Sequence, residues 1–265
     1  MTPRLIVSDL DGTLLGSDHT LHESTVAVLR ALVKQGHHFA LASGRHYHDM
    51  KVFRDQLDIP AHLISTNGAY VHDPQGTLLA ATHVDPEHAQ TLINLPRPPQ
   101  VRLNLYHEGG WHIDAEAPHL LAHHASTGFG YEVVPPDQMD IHGIGKVLYL
   151  GDPEALKQLE AQAHEAHGDA LHITYSTIDS LEIMAGGVNK GVALASLLER
   201  LALTPADCMA FGDNLNDTEM LVLAGEAQVM ANAHLDLFDR IEGAERIGHH
   251  GEAAVAEWLK KRFEL

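Results

Sequence analysis

The chain has 265 residues, 45% hydrophobic and 20% charged, an ordinary globular composition long enough for one large domain or two modest ones. Seventeen Lys and Arg stand against 36 Asp and Glu, a formal charge of −19, which argues against a nucleic-acid or anionic-membrane surface. The lone cysteine, Cys208, has no partner for an internal disulfide, so a reducing cytoplasm is the expected compartment, and its place before an apolar run marks it as buried packing.

No apolar run approaches the roughly 18 residues of a membrane span, and Met1 to Val7 runs into a strand without a charged-then-apolar signal. The expected partner is therefore a small molecule rather than a nucleic acid or a membrane, and the expected state is a monomer or weak homo-oligomer. An acidic chain still binds an anion where a metal and local donors reverse the sign at the site. The 22 histidines are scattered, with pairs such as His37-His38 and His249-His250, and none has zinc-ligand spacing. They read as surface composition.

Along the chain, Leu5-Ile6-Val7 is a short apolar run of the kind a doubly covered strand shows. Thr25, Val28, Leu29 and Leu32 recur at helical spacing, with Gly36 as the stop. Phe39-Ala40-Leu41-Ala42 and Leu63-Ile64 are the next two strands, the alternation of a parallel, doubly wound sheet. Past residue 82 the texture changes. Pro96, Pro98 and Pro99 punctuate the chain, Val101, Leu103 and Leu105 alternate, and Gly109-Gly110 makes a turn. A helix from Glu154 to Ala166 precedes strands at Leu171 to Tyr175 and Leu181 to Met184. From Gly191 the first texture returns, with a helix through Leu194, Leu197, Leu198 and Leu201, a strand at Met209-Ala210-Phe211, and a closing helix around Ala253 to Arg262. The expected fold is α/β: a Rossmann-like doubly wound parallel sheet in residues 1–82 and 188–265, with an α+β cap inserted as residues 83–187.

Four short strings fall at expected strand-to-helix junctions, where ligands of a parallel sheet gather. Asp9-Leu10-Asp11-Gly12-Thr13 sets two carboxylates two residues apart around a turn, so one can attack and the other can move protons. Ser43-Gly44-Arg45 offers a hydroxyl and backbone N–H groups as an anion cradle. Lys190-Gly191 opens a helix with a point charge. Gly212-Asp213-Asn214-Leu215-Asn216-Asp217 offers the oxygen ligands a hard cation needs. Each string alone is compatible with a turn, a helix cap or a solvated lysine; their convergence is what specifies phosphoryl transfer.

In that order the strings resemble the four motifs of the haloacid dehalogenase superfamily of phosphatases. The large insertion, and Ser65-Thr66-Asn67-Gly68-Ala69 after the third strand, resemble its Cof-like subfamily with a type 2 cap. The resemblance covers essentially the whole chain. It implies Asp9 as nucleophile forming an aspartyl-phosphate, Asp11 as general acid/base, and Mg²⁺ held by Asp9, the Asp11 carbonyl and Asp213. Asp217 joins the metal group by orienting the water shell or Lys190. Phosphate and substrate contacts fall to the Leu10 backbone, Ser43, Gly44, Arg45, Asn67, Lys190 and Asn216. Ser43 stands where the subfamily often carries Thr, which keeps the hydroxyl. The stretch Asp179 to Lys190 is most similar to enzymes acting on pyridoxal 5'-phosphate and sugar phosphates, with Tyr106, His112 and Glu182 as cap-side candidates. The alternatives are a phosphotransferase or phosphomutase, and a non-hydrolytic phospho-aspartate signalling module; the inserted lid and the second acid at Asp11 weigh against the latter.

Overall fold

A computed structural model describes residues 3–265, so Met1 and Thr2, where the first strand was expected to be approached, lie outside the described residues. The amino-terminal part alternates β1 (Leu5–Ser8), α1 (Glu23–Lys34), β2 (His38–Ala42), α2 (Tyr47–Leu57) and β3 (Ala61–Ser65). A hairpin of β4 (Tyr70–His72) and β5 (Leu78–Ala81) follows. The middle of the chain carries α3 (Pro86–Ile93), β6 (Arg102–His107), β7 (Gly110–Ile113), β8 (Tyr131–Val133), β9 (Ile144–Leu150), α4 (Pro153–His167), β10 (Leu171–Thr177) and β11 (Ser180–Ala185). Alternation then resumes with α5 (Lys190–Arg200), β12 (Cys208–Gly212), α6 (Thr218–Leu223), β13 (Glu226–Val229), α7 (Leu235–Arg240), β14 (Glu245–Arg246) and α8 (Ala254–Phe263).

Two sheets result. The larger runs β14-β13-β12-β1-β2-β3-β4-β5; its pairings are parallel from β14 to β3, and the β4–β5 hairpin extends it antiparallel. Side chains of a strand alternate between faces, and here both faces are covered. Ile6, Phe39, Leu41, Leu63, Met209 and Phe211 pack on α1, α2 and α8. Leu5, Val7, Ala40, Ala42, Ile64 and Ala210 pack on α5, α6 and α7. That two-sided burial explains the unbroken apolar strands. Cys208 is a free thiol buried in the second layer.

The inserted sheet runs β10-β11-β9-β6-β7-β8, antiparallel except for β7 with β8. Leu103, Leu105, Val147, Tyr149, Leu181 and Ile183 face α3 and α4. Asp152, which precedes α4, accepts hydrogen bonds from the N–H groups of Glu154 and Ala155, satisfying two donors of the first turn. The alternate residues Asn104, Tyr106, Lys146, Leu148 and Glu182 lie on the opposite face. The fold is thus α/β, a parallel core with an inserted α+β cap. Among the described residues no helix is long and apolar enough to cross a membrane.

Four of the histidines depart from the surface reading. His37, His46, His62 and His72 are buried, and burial lowers the proton affinity of each. Their rings act as flat packing units: His72 stacks on Tyr47 at 3.9 Å between centroids, and His46 on Phe129 at 4.8 Å. A neutral imidazole tolerates burial, which a count of histidines does not reveal.

Candidate active site

The carboxyl end of β1 delivers Asp9. Its N–H donates to the carbonyl of Phe211 at 2.9 Å, which pins the end of β1 against β12. The chain then turns sharply. Gly12 has φ +77°, and a Cβ there would overlap the Asp213 carboxylate, so both the backbone and the space require glycine. Thr13 Oγ1 donates to Asp213 Oδ1 at 2.7 Å, and Asn232 Nδ2 donates to the Gly12 carbonyl at 2.8 Å. These bonds tie the β1 loop to the loops that follow β12 and β13.

Lys190 enters from the first turn of α5, whose cap is the Asn189 side chain accepting from the Val192 N–H at 2.8 Å. The lysine is fully buried. Its Nζ lies 2.6 Å from Asp9 Oδ1 and 2.6 Å from Asp217 Oδ1. The second oxygen of Asp217 accepts the N–H groups of Asp213 and Asn214, each at 3.0 Å. Oxygens of Asp9, Asp213 and Asp217 all lie within 4.8 Å of one another.

Three carboxylates therefore crowd together around one buried ammonium, which of the three touches only Asp9 and Asp217. Burial is the main force raising the pKa of Asp9, with Asp217 and Asp213 adding to it and Lys190 opposing. Asp213 is pushed up to about 7, again chiefly by burial and then by Asp217. Burial works against the charge on Lys190, but Asp217 and Asp9 outweigh it and raise its pKa. The excess negative charge and the all-oxygen donor set are what a hard cation neutralises.

Ser43 and Gly44 follow β2, and the N–H of Ser43 still donates to Ile64 of β3 at 2.9 Å. Arg45 Nε and Nη2 donate to the two oxygens of Asp11 at 2.6 and 2.7 Å, and Nη1 donates to Asp49 at 2.8 Å. After β3, Thr66, Asn67 and Gly68 all adopt positive φ. This aims the Asn67 amide at Glu182 of the cap, while its oxygen accepts from Asn216 Nδ2 at 3.1 Å. Glu182 also accepts from Lys146 Nζ at 3.0 Å and Ser176 Oγ at 3.0 Å, and Lys146 donates in turn to the Gly44 carbonyl at 2.8 Å. A cavity of about 540 Å³ lies between the sheets, with Asp9, Asp11, Ser43 and Asn216 on the core side. Tyr106, Trp111 and Leu148 line it from the cap.

A family model described as haloacid dehalogenase-like hydrolase matches residues 6–259. The chain belongs to that family. Over 256 residues it is 38% identical to an HMP-PP phosphatase of Cronobacter sakazakii, covering 97% of this chain and 94% of the relative. A haloacid dehalogenase-like hydrolase from B. subtilis superposes with a TM-score of 0.87 at 24% identity, over 97% of this chain and 99% of that one. A subclass IIB sugar phosphatase superposes at 0.84 and 17% identity, over 98% and 99% of the two chains, a likeness of fold. The chain is thus a phosphatase of the haloacid dehalogenase-like family.

The structure brings Asp9, Asp11, Ser43, Gly44, Arg45 and Asn216 to the cavity wall of this haloacid dehalogenase-like hydrolase, with Lys190, Asp213 and Asp217 behind Asp9. The Leu10 side chain is buried in the core, so only its backbone is available to a ligand. Arg45 donates to carboxylates, and Asn67 joins Glu182 to Asn216. Of the cap candidates, Tyr106 and Glu182 line the cavity, whereas His112 packs 4.7 Å from the His107 ring outside it. Sequence reasoning missed Asp49 and Lys146. Asp49 stands four residues after Arg45 at ion-pair spacing on a helix start, and Lys146 is a single charge inside the apolar strand β9; both signals were present.

Proposed function

We propose that the chain is a magnesium-dependent phosphatase of small phosphorylated metabolites, working through an aspartyl-phosphate on Asp9. Residues 1–82 and 188–265 form the catalytic core in this reading, and residues 83–187 the cap. The observation that carries it is the convergence of Asp9, Asp213, Asp217 and Lys190 at the parallel strand ends beneath the cavity. A carboxylate oxygen of Asp9 attacks phosphorus, the ester P–O bond breaks, and the leaving oxygen takes a proton from Asp11. Asp11 then removes a proton from water, the water oxygen attacks phosphorus, and the P–O bond to Asp9 breaks, returning the carboxylate and inorganic phosphate. Ser43, Gly44 and Asn216 are placed to hold the phosphate oxygens, and Lys190 offsets charge from the side opposite the cavity.

The carboxylates of Asp9 and Asp213, with the carbonyl of Asp11, suit Mg²⁺, and Asp217 orients Lys190 and the loop that carries Asp213. The bound ion neutralises charge on the transferred phosphoryl group. The relative's substrate, HMP-PP, stands beside pyridoxal 5'-phosphate and sugar phosphates as a first compound to assay. The same reading makes the enzyme cytoplasmic and a monomer or weak homo-oligomer. The test is phosphate release across a panel of phosphometabolites with Mg²⁺. We expect turnover that chelator abolishes and Mg²⁺ restores, and none from Asp9→Asn. Undiminished release by Asp9→Asn refutes the nucleophile, and release that survives chelation refutes the metal.

A further inference from the structure

Asp11 leaves 41% of its side chain open, far more than Asp9 at 9% or Asp217 at 0%, so its position depends on what grips it. Arg45 supplies that grip through a two-pronged guanidinium fork, the geometry that fixes a carboxylate in both direction and tilt. Arg45 is in turn laid over the Phe53 ring, 5.3 Å from its centroid, and tied to Asp49 at 2.8 Å. Asp49 has no exposed surface. Burial opposes its charge, yet hydrogen bonds from His124 and Thr127 and the charge of Arg45 hold its carboxyl below the ordinary range.

The partners of Asp49 come from two regions. Arg45 belongs to the core. His124 Nδ1, at 3.0 Å, and Thr127 Oγ1 come from the cap, at the end of the turn Pro118–His124 and just beyond it. Thr127 also accepts the N–H of Phe129, whose ring stacks on His46 of the core at 4.8 Å. Without the two cap donors, Asp49 would keep a single charged partner and lose hydrogen bonds to both of its oxygens.

Resting on the phosphatase reading, we propose that Asp49, with His124 and Thr127 of the cap, forms a positioning assembly that sets Arg45 and through it the acid/base Asp11. Seating of residues 118–129 on the core and correct placement of Asp11 are then one event, so proton transfer is competent only when the cap is down. His124 also lines the cavity, whereas Thr127 does not, which makes Thr127 the cleaner probe.

The experiment uses p-nitrophenyl phosphate, whose leaving group departs without a proton, so that only hydrolysis of the aspartyl-phosphate requires Asp11. For Thr127→Val and Asp49→Asn we expect kcat to fall about tenfold and KM to fall with it, leaving kcat/KM, which reports formation of the aspartyl-phosphate, within about twofold. Stopped-flow traces should show a nitrophenolate burst near one per enzyme, and acid quench should trap the phosphoenzyme. Thr127→Ser, which keeps the donor, should restore kcat to within about twofold. Equal losses in burst and steady-state rates, a change confined to KM, or no rescue by Thr127→Ser would each overturn the assembly; if Asp49→Asn does not fold, Thr127→Val decides alone. Retained turnover in Asp9→Asn, with no phosphoenzyme in any variant, overturns the aspartyl-phosphate reading and the inference with it, and no turnover by the parent protein overturns the phosphatase reading.

Discussion

The two sheets face the same cavity but supply it in different ways. The core sheet contributes through the loops at its strand ends, where Asp9, Ser43 and Asp213 each follow a strand directly and their loops are bonded to one another. Its strands are buried on both faces, so those loops stand on a scaffold with little freedom. The cap sheet contributes through the middle of its strands, from one face only, while its other face is covered by α3 and α4. Groups that must meet a reacting atom to within fractions of an ångström belong on the first kind of support. Groups that merely border the rest of a molecule are served by the second, where one side chain changes without moving its neighbours.

The comparison is broken most severely by touching the core ends. Asp9→Asn should lower turnover by about four orders of magnitude, close to 5.5 kcal/mol of barrier, measured as phosphate release at saturating substrate. Lys190→Met leaves Asp9 and Asp217 buried with no cation between them. It should destabilise the fold by about 3–5 kcal/mol, read as a fall in melting temperature, and abolish activity; a fold as stable as the parent would show that the pair does not hold the loops. On the cap side, Leu150→Ser alters a partly exposed cavity-lining residue and should reorder a substrate panel by about tenfold in kcat/KM while kcat for the best substrate changes little. If it instead lowers kcat for every substrate alike, the separation between the two supports fails.

The seam between them gives a pH signature. His46 is buried with Nδ1 accepting from the His48 N–H and Nε2 donating to the His107 carbonyl of the cap at 2.5 Å, and burial lowers its pKa to about 4. Between pH 6.5 and 4 the unfolded chain binds a proton that the folded chain does not. Stability is therefore fully present above 6.5, falls as pH drops through that window, and levels off below about 4. The loss from this one group approaches about 3 kcal/mol, and His46→Gln should flatten the corresponding slope in chemical denaturation followed across pH.

The same contrast governs how much could be read from the sequence. Core residues that act together lie within a few positions of one another after apolar runs, so the strings at Asp9, Ser43, Lys190 and Asp213 are visible and their parallel-sheet context is too. Cap residues that act together, such as Lys146, Ser176 and Glu182, sit on three strands and are joined only by register. No spacing along the chain announces them. Asn67 shows the intermediate case: its turn was legible as a signature, but the partner its amide reaches, 115 positions away, was not. Arg45 was legible as a site residue and Asp49 stood at ion-pair spacing from it, but that Arg45 forks onto Asp11 and that the cap holds Asp49 needed the fold.

Trp111 gives the molecule a built-in optical probe. The chain has two tryptophans. Trp111 forms part of the cavity wall, its indole N–H held by Asn104 Oδ1 at 2.9 Å. Trp258 lies on α8, edge-on to Phe211 with its N–H on Glu245 at 2.8 Å. A ligand entering between the sheets changes the surroundings of the first indole and leaves the second as an internal reference. Emission from the unlabelled protein can thus report occupancy of the cavity in real time, before any phosphate is released.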